Sequence, residues 1–178
     1  MKPAVFLDRD GVINKVVFRD GKLSVPFSSE ELEFLPGVRE AILELKKKGY
    51  WCLVVTNQPN AGKDFSFETL FLMHQRLKDE LGVDVVYSCP HGDNSNCLWF
   101  KPRPGMIQEA AHSFDLDIGR SFVIGDRWRD IELAKNAGCR SVLIPSEATK
   151  FDNRVLAPDY TAANLLEAAR LIISFDTA

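Results

Sequence analysis

The sequence predicts an α/β fold, a Rossmann-like three-layer sandwich in which a mainly parallel sheet lies between two layers of helices. Apolar runs of four or five residues alternate along the chain with longer amphipathic stretches. Gly follows several of the amphipathic stretches, and Pro-Gly precedes two of them, as expected at helix ends and helix starts. This alternation is typical of parallel strands joined by helical crossovers.

Five strands and five helices are predicted. The strands are 4–7, 51–55, 83–87, 121–124 and 141–144. The helices are 38–48, 67–81 with a cap at Ser66, 106–114, 131–137, and 162–173 with a cap at Thr161. The dipeptide Asp20-Gly21 lies between two short apolar runs and predicts a hairpin within residues 15–27. Because this hairpin follows the first strand directly, we expect it to overhang the end of that strand.

Composition restricts the classes of protein to consider. The chain has 178 residues, 46% hydrophobic and 26% charged, with a net charge of −3. These values indicate a soluble protein with one domain over 1–178, since no repeat or linker divides the chain. Without a basic stripe, a long apolar run or a secretory signal pattern, we expect no nucleic-acid partner, no membrane span and a cytoplasmic location. The lack of a long apolar edge or heptad favours a monomer.

Two carboxylates follow the first predicted strand. Asp8 and Asp10 stand two positions apart and Gly11 comes next. Residues i and i+2 of an extended segment point to the same side, so both carboxylates are expected to project from the strand end. Such a pair suits a cation site, an acid/base pair, or a nucleophile beside its proton donor. An Asp-rich turn without chemistry is the alternative.

Polar residues also follow other predicted strands. The second strand is followed by Thr56, Asn57 and Gln58, and the fourth by a segment that contains Asp126, Arg127 and Asp130. Lys101 lies in the irregular stretch before the third helix. Each of these has an ordinary structural explanation, such as a turn, a helix start or a solvated charge. Parallel strands, however, bring their carboxyl ends to one edge of the sheet, where ligands bind in such folds.

The order of these residues resembles that of the haloacid dehalogenase superfamily of phosphotransferases, over essentially the whole chain. The resemblance implies that Asp8 is the nucleophile, Asp10 the general acid/base, Thr56 a phosphate contact and Lys101 the supporting cation. It implies a Mg²⁺ site made by Asp8, the Asp10 carbonyl and Asp126, with Asp130 nearby. Phosphate or substrate contacts are expected from Arg9, Gly11, Asn57, Gln58 and Arg127.

The same resemblance narrows the reaction. An anionic nucleophile attacking an anionic phosphate needs cations, which magnesium and Lys101 supply. Dehalogenases of the superfamily lack the second Asp and transport ATPases carry Thr there, so Asp10 points to a phosphatase or a phosphomutase. Mutases generally carry a large inserted cap domain. The short segments after Gly11 and Thr56 leave no room for one, which favours a capless phosphatase.

One loop departs from the subfamily that the chain is most similar to, which contains heptose-bisphosphate and histidinol-phosphate phosphatases. That subfamily carries a zinc loop of the form Cys-x-His, then Cys-x-Cys, before Arg-Lys-Pro. Within 89–100 this chain has three of the four ligands, Cys89, His91 and Cys97, but Trp99 and Phe100 replace the last cysteine and the arginine. Zinc with water or Asp93 in the fourth position is one interpretation. A metal-free loop held by aromatic packing is the other, and a disulfide is disfavoured in a reducing compartment.

The resemblance implies a magnesium-dependent phosphomonoesterase that works through an aspartyl-phosphate on a small phosphorylated metabolite, first a heptose bisphosphate. Histidinol phosphate is the enzymatic alternative, and a phosphate-binding domain with little turnover is the alternative of another class. Because Phe100 replaces the subfamily's arginine, a second anion contact is expected from Arg103, Arg127 or Arg129. We predict that Arg127 faces the substrate.

Overall fold

A computed structural model describes residues 1–152, 154 and 156–175. The strands are β1 (Ala4–Leu7), β2 (Val17–Arg19), β3 (Lys22–Ser24), β4 (Trp51–Asn57), β5 (Val85–Cys89), β6 (Phe122–Gly125), β7 (Arg140–Leu143) and β8 (Tyr160–Thr161). The helices are α1 (Val38–Lys47), α2 (Phe67–Arg76), α3 (Gly105–Phe114), α4 (Trp128–Ala137) and α5 (Leu165–Ser174).

Six strands form one parallel sheet in the order β5-β4-β1-β6-β7-β8, with β1 near its centre. Alternate residues of β1 serve opposite faces. Val5 and Leu7 pack with residues of α1 and α5, whereas Ala4 and Phe6 pack with residues of α3 and α4. Strands buried on both faces need continuous apolar sequence, which the first strand has. The predicted three-layer α/β sandwich is confirmed.

Several predicted boundaries were wrong. The third strand of the prediction, 83–87, begins and ends two residues later as Val85–Cys89, so Cys89 belongs to the strand. The second helix is α-helical only to Arg76, and Leu77–Leu81 forms a π-helical turn that ends at Gly82. The last helix begins at Leu165 with Asn164 as its cap, because residues 160 and 161 form the unpredicted edge strand β8.

The predicted hairpin is present as β2 and β3, which pair antiparallel across Asp20-Gly21. Both turn residues have positive φ angles, 49° and 73°. That is the backbone of the two-residue turns whose twist matches paired strands. Residues just outside the two strands, together with Leu23, line the cavity described below, so the hairpin does overhang the end of β1.

The described part of the chain contains no helix that is long and apolar enough to cross a bilayer. The assignment of residues 1–178 to one domain stays a prediction.

Candidate active site

A cavity of about 410 Å³ lies at the carboxyl edge of the sheet. The parallel pairing of β1 with β4 and with β6 brings the ends of these three strands together. Candidate residues that line the cavity are Asp8, Asp10, Thr56, Asn57, Lys101, Asp126, Arg127 and Asp130. The structure therefore gathers in one place residues that are up to 122 positions apart in the chain (8 to 130).

Lys101 forms ion pairs with one carboxylate at the end of β1 and one in the first turn of α4. Its Nζ lies 2.8 Å from Asp8 Oδ1 and 2.7 Å from Asp130 Oδ1. All three side chains are buried. Burial disfavours the ammonium form, but the carboxylates of Asp130 and Asp8 outweigh it and hold the pKa of Lys101 above its usual range. Lys101 is thus a fixed positive charge beside the predicted nucleophile.

Asp126 sits deep in the same cluster and is supported from the segment after β7. Its Oδ2 accepts a hydrogen bond from the hydroxyl of Ser146, while its Oδ1 is buried and has no partner. The Thr149 hydroxyl donates to the Asp126 backbone carbonyl. An unpartnered buried carboxylate oxygen is costly and calls for a cation or a donor at that position.

Two glycines allow this crowding. A side chain at Gly11, which has a φ angle of 90°, would place its Cβ 2.1 Å from Asp126 Oδ2. A Cβ at Gly125 would lie 2.1 Å from the Cβ of Asp130. Gly11, predicted as a substrate contact, is therefore needed first of all because its backbone lies so close to the Asp126 side chain that no Cβ fits.

The carboxylates of Asp8, Asp126 and Asp130 each bring one oxygen within 4.8 Å of the others, a spacing that suits one metal ion. Burial raises the pKa of Asp8 to about 7, and the neighbouring Asp130 and Asp10 add to this against the opposing effect of Lys101. Burial, together with Asp8 and Asp130, also raises the pKa of Asp126 well above its usual value. The ionised form of these carboxylates is therefore disfavoured when no cation is present. A divalent cation that prefers oxygen ligands would stabilise it and fits the cluster.

Asp10 is held by donors that do not line the cavity. Its carboxylate accepts hydrogen bonds from Asn14 Nδ2 at 2.9 Å, from Gln58 Nε2 at 2.7 Å, and from Arg9 Nε and Nη2 at 3.2 and 3.0 Å. Gln58 also accepts from Arg9 and donates to the hydroxyl of Thr56. The Asp10 side chain still reaches the cavity, where 12% of it is exposed.

The structure does not place Arg9 or Gln58 on the cavity wall, and their contact with substrate stays a prediction. Both side chains are fully buried and neither lines the cavity, because their polar atoms are engaged with Asp10 and with each other. Asn57 lines the cavity, but its amide bonds both to the backbone N–H of Lys101 at 3.0 Å and to its carbonyl at 3.2 Å. Arg9 and Gln58 thus hold Asp10, and Asn57 holds the backbone of Lys101.

Two arginines at the start of α4 line the cavity. Arg127 forms an ion pair with Asp152, which also accepts the backbone N–H of Trp128. Arg129 forms an ion pair with Asp93, in the loop between β5 and α3. The third arginine considered, Arg103, instead donates to backbone carbonyls of that loop and does not line the cavity.

Sequence reasoning missed Ser146, Thr149 and Asp152. The first two lie just beyond β7, whose carboxyl end reaches the same edge of the sheet as those of β1 and β6. The strand-end argument would have indicated them if it had been extended to this strand. No comparable sequence signal indicates Asp152, because its position beside Arg127 depends on the course of a long loop.

The side chains of Cys89, His91 and Cys97 converge in the loop after β5. The sulfur of Cys89 lies 3.5 Å from His91 Nδ1 and 3.6 Å from the sulfur of Cys97, and the three ligand atoms lie within 4.8 Å of one another. Trp99 turns away to pack edge-on against Tyr87, with ring centroids 5.7 Å apart.

Asp93 is not among these convergent ligands; it pairs with Arg129 instead. The suggestion that Asp93 completes the metal site is therefore not supported. Burial raises the pKa of Cys89 to about 11, whereas backbone N–H groups of the loop, led by that of Trp99, lower the pKa of Cys97.

Residues 99–168 match the HAD-hydrolase-like family. Fold, site and this match together define the chain as a hydrolase of the haloacid dehalogenase type, as the sequence motifs predicted. The D-glycero-D-manno-heptose-1,7-bisphosphate 7-phosphatase of Thermosynechococcus vestitus is 36% identical over 96% of this chain and 95% of its own. The D-glycero-beta-D-manno-heptose-1,7-bisphosphate 7-phosphatase of Rhodopseudomonas palustris is 38% identical over 77% of this chain and 80% of its own. The chain belongs to this family of heptose-bisphosphate phosphatases.

Solved structures agree with the sequence relatives. The crystal structure of D,D-heptose 1,7-bisphosphate phosphatase from B. bronchiseptica, complexed with magnesium and phosphate, superposes with a TM-score of 0.82. It is 29% identical, and the match covers 98% of this chain and 99% of that one. A HAD-like phosphatase structure from Mesorhizobium loti gives a TM-score of 0.77 at 28% identity, over 99% of this chain and 87% of that one.

Proposed function

We propose that this chain is a magnesium-dependent phosphomonoesterase that removes the 7-phosphate of D-glycero-D-manno-heptose 1,7-bisphosphate, a step in carbohydrate metabolism. The observation that carries the proposal is the placement of Asp8. It lies at the end of β1 between the ammonium of Lys101 and the acidic cluster of Asp126 and Asp130. The same activity is named for relatives that match nearly the whole chain, which supports the substrate.

Asp8 is positioned to act as the nucleophile. Its Oδ1 accepts the backbone N–H of Arg9 at 2.7 Å and the ammonium of Lys101 at 2.8 Å, which fixes the direction of the carboxylate. In the proposed reaction a carboxylate oxygen of Asp8 bonds to phosphorus while the bond to the sugar oxygen breaks, giving an aspartyl-phosphate. Lys101 compensates negative charge on the nucleophile and on the transferring group throughout.

Asp10 supplies and retrieves the proton. It protonates the departing sugar oxygen in the first step, and in the second it accepts a proton from the water that cleaves the aspartyl-phosphate. The hydrogen bonds from Arg9, Asn14 and Gln58 keep its carboxylate at the cavity edge for both steps. The hydroxyl of Thr56 also lines the cavity and is proposed to bind the phosphoryl oxygens.

The proposed metal ion is Mg²⁺, held by Asp8, Asp126 and the Asp10 carbonyl, with Asp130 close by. The fit rests on the unpartnered Asp126 Oδ1 and on the raised pKa values of Asp8 and Asp126. A bound Mg²⁺ supplies positive charge that draws phosphate oxygens in and stabilises the charge that develops on them. The B. bronchiseptica relative is described as a complex with magnesium and phosphate, which supports this assignment.

The test is phosphate release from a panel of phosphorylated metabolites with and without Mg²⁺, including the heptose bisphosphate and histidinol phosphate. We expect magnesium-dependent release with a strong preference for the heptose bisphosphate. A preference for histidinol phosphate would overturn the substrate. Absence of release from every compound, including a generic aryl phosphate, would instead favour a phosphate-binding domain.

The convergence of Cys89, His91 and Cys97 supports a zinc ion in the loop, with water as the fourth ligand in place of the missing cysteine. We therefore include zinc in the proposal as a structural ion that holds the loop beside the cavity. Metal analysis of protein purified without chelator tests it. We expect zinc in the native chain and its loss in Cys97→Ser, whereas a zinc-free native chain would favour a loop held by the packing of Trp99.

The remaining sequence expectations stay predictions. These are the cytoplasmic location, the monomeric state, the absence of a nucleic-acid partner and the contact of Arg127 with the substrate. The ion pair of Arg127 with Asp152 leaves it at the cavity wall, so the last expectation is compatible with its position.

A further inference from the structure

The cavity is lined by cations whose carboxylate partners differ in burial. Among the described residues these cations are Lys101, Arg127 and Arg129. Lys101 is held by the buried carboxylates of the reaction centre. Arg127 is held by Asp152, only 7% of whose side chain is exposed. If either cation exchanged its partner for a ligand, a buried carboxylate would lose its cation, which is costly.

Arg129 differs because its partner is exposed. It pairs with Asp93, 68% of whose side chain is exposed, and Asp93 lies in the irregular loop between β5 and α3. Exposed ion pairs contribute little to stability, since water solvates the separated charges almost as well. The Asp93 carboxylate can therefore leave Arg129 for solvent at little cost, which makes Arg129 the cation of the cavity that is most readily available to an incoming anion.

The surroundings of Arg129 hold its guanidinium at the cavity wall. It lies over the ring of Trp128 at 4.6 Å and beside the ring of Phe100 at 5.9 Å. Its Nε is buried and has no partner. Phe100 occupies the position where an arginine was expected from the resemblance, and α4 instead supplies Arg129 to the wall of the same cavity. Consecutive helical residues point about 100° apart, so Asp130 can face Lys101 while Arg129 faces the loop.

We propose that Arg129 recognises the phosphoryl group that a bisphosphate substrate keeps, and that the Asp93 carboxylate occupies the same guanidinium until that group displaces it. This inference rests on the proposed function, because it assigns the second phosphate of the proposed substrate. The planar guanidinium of arginine matches phosphate oxygens with two parallel hydrogen bonds, and a phosphate dianion outcompetes one exposed carboxylate. Arg129 is accordingly a specificity residue, and Asp93 is its built-in competitor.

The experiment compares D-glycero-D-manno-heptose 1,7-bisphosphate with the matching heptose 7-phosphate, which carries the same reacting group without the second phosphate. The measured quantity is the ratio of kcat/KM for the two substrates. We expect Arg129→Gln to lower this ratio about ten- to a hundredfold, as for the loss of a charge-assisted contact, mainly through the KM of the bisphosphate. Arg129→Lys is expected to give a ratio between those of the native chain and Arg129→Gln, because it keeps the positive charge but loses the two parallel N–H donors of the guanidinium.

Asp93→Asn should act in the opposite direction and only through Arg129. It removes the competitor and is expected to raise the ratio in the native background and to leave it unchanged in Arg129→Gln. The matched control is Arg170→Gln, which should keep the native ratio, since Arg170 pairs with exposed Glu40 and half-buried Glu44 on α1, away from the cavity.

The outcomes separate the two proposals. If the native chain releases phosphate from neither heptose phosphate, the proposed function fails. If the native chain releases phosphate but Arg129→Gln keeps the native ratio, or lowers both kcat/KM values by the same factor, the phosphatase stands and the role of Arg129 is overturned. An unchanged ratio in Asp93→Asn would overturn the proposal that Asp93 competes with the second phosphate for Arg129.

Discussion

The guanidinium of Arg9 lies against the carboxylate of Asp10 on the side that does not line the cavity. Nη2 of Arg9 lies 3.0 Å from Asp10 Oδ1, and Gln58 bridges the pair by accepting from Arg9 at 2.9 Å and donating to Asp10 at 2.7 Å. The residue between the two aspartates of the motif thus fixes the proposed acid/base. Such partners matter because catalytic groups need to be held close to one productive geometry.

Arg9→Met is expected to lower both stability and kcat. The variant leaves the Asp10 carboxylate and the Gln58 amide without their buried cation, which costs about 3–5 kcal/mol when one partner of a buried pair is removed. The proposed proton donor also loses its orientation. Arg9→Lys keeps the charge and should recover part of kcat.

Urea unfolding and steady-state kinetics on the same preparations separate the two effects. A fully folded Arg9→Met enzyme with native kcat would show that Asp10 does not depend on Arg9.

Asp8→Asn is expected to abolish phosphate release, with a loss of about a thousandfold or more, because an amide cannot form the aspartyl-phosphate. The fold should persist, since the amide oxygen can still accept from Lys101 and from the backbone N–H of Arg9. Activity and circular dichroism are measured together. Asp79→Asn, an exposed site beyond α2, is the matched control. Substantial residual turnover in Asp8→Asn would contradict the assignment of the nucleophile.

The convergence of the charged cluster could be predicted from sequence because it depends on topology alone. Asp8 and Asp126 directly follow β1 and β6, two central strands of the parallel sheet, so any register of that sheet brings them to one edge. Lys101 lies outside the strands, and its place was taken from the family resemblance. Its position is fixed by the Asn57 side chain, which binds the backbone of Lys101 from the end of β4.

What could not be predicted depends on the paths of loops and on burial. The family resemblance led us to expect Arg9 among the phosphate or substrate contacts, yet the chain turns after β1 and buries its side chain. The partners of Arg127 and Arg129 lie 25 and 36 positions away in the chain, in segments without periodicity. Edge strand β8 was missed because two residues carry no detectable alternation.

Ser146→Ala is expected to weaken apparent Mg²⁺ affinity about ten- to a hundredfold, the usual effect of removing a residue that orients a metal ligand. The hydroxyl of Ser146 is a side-chain donor to Asp126, and its loss frees that carboxylate to rotate. The measurement is phosphate release as a function of Mg²⁺ concentration. Ser113→Ala on the exposed face of α3 serves as the control. An unchanged Mg²⁺ dependence would mean that Asp126 needs no support from this segment.

Mg²⁺ binding is expected to strengthen as pH rises from 6 to 8. Burial raises the pKa of Asp8 to about 7, so protons compete with the cation for this carboxylate in the lower part of the range. Above pH 7 Asp8 is mostly ionised even without the cation, so protons compete less with Mg²⁺ for its carboxylate. The shift in Tm caused by Mg²⁺ should therefore be larger at pH 8 than at pH 6. Equal shifts at both pH values would contradict the raised pKa of Asp8.

His74 on α2 is expected to make the protein less stable in acid. Burial, together with the nearby Arg9, lowers the pKa of His74 to about 3. Its Nε2 is buried without a partner in the described structure. Between this value and the unfolded-state pKa of 6.5 the unfolded chain binds a proton at His74 that the native chain does not. The unfolded state then binds more protons, so this contribution to stability is complete above pH 6.5 and is lost as pH falls toward 3.

His74→Gln removes the titration and should flatten this part of the pH profile. The free energy of unfolding in urea is compared for the native and variant chains at pH 7.5, 6 and 5, and the difference should shift in favour of the variant as pH falls. The control is His112→Gln, an exposed site on α3, which should follow the native profile. A difference between the native chain and His74→Gln that stays constant over this range would show that His74 is protonated in the native state as readily as in the unfolded chain.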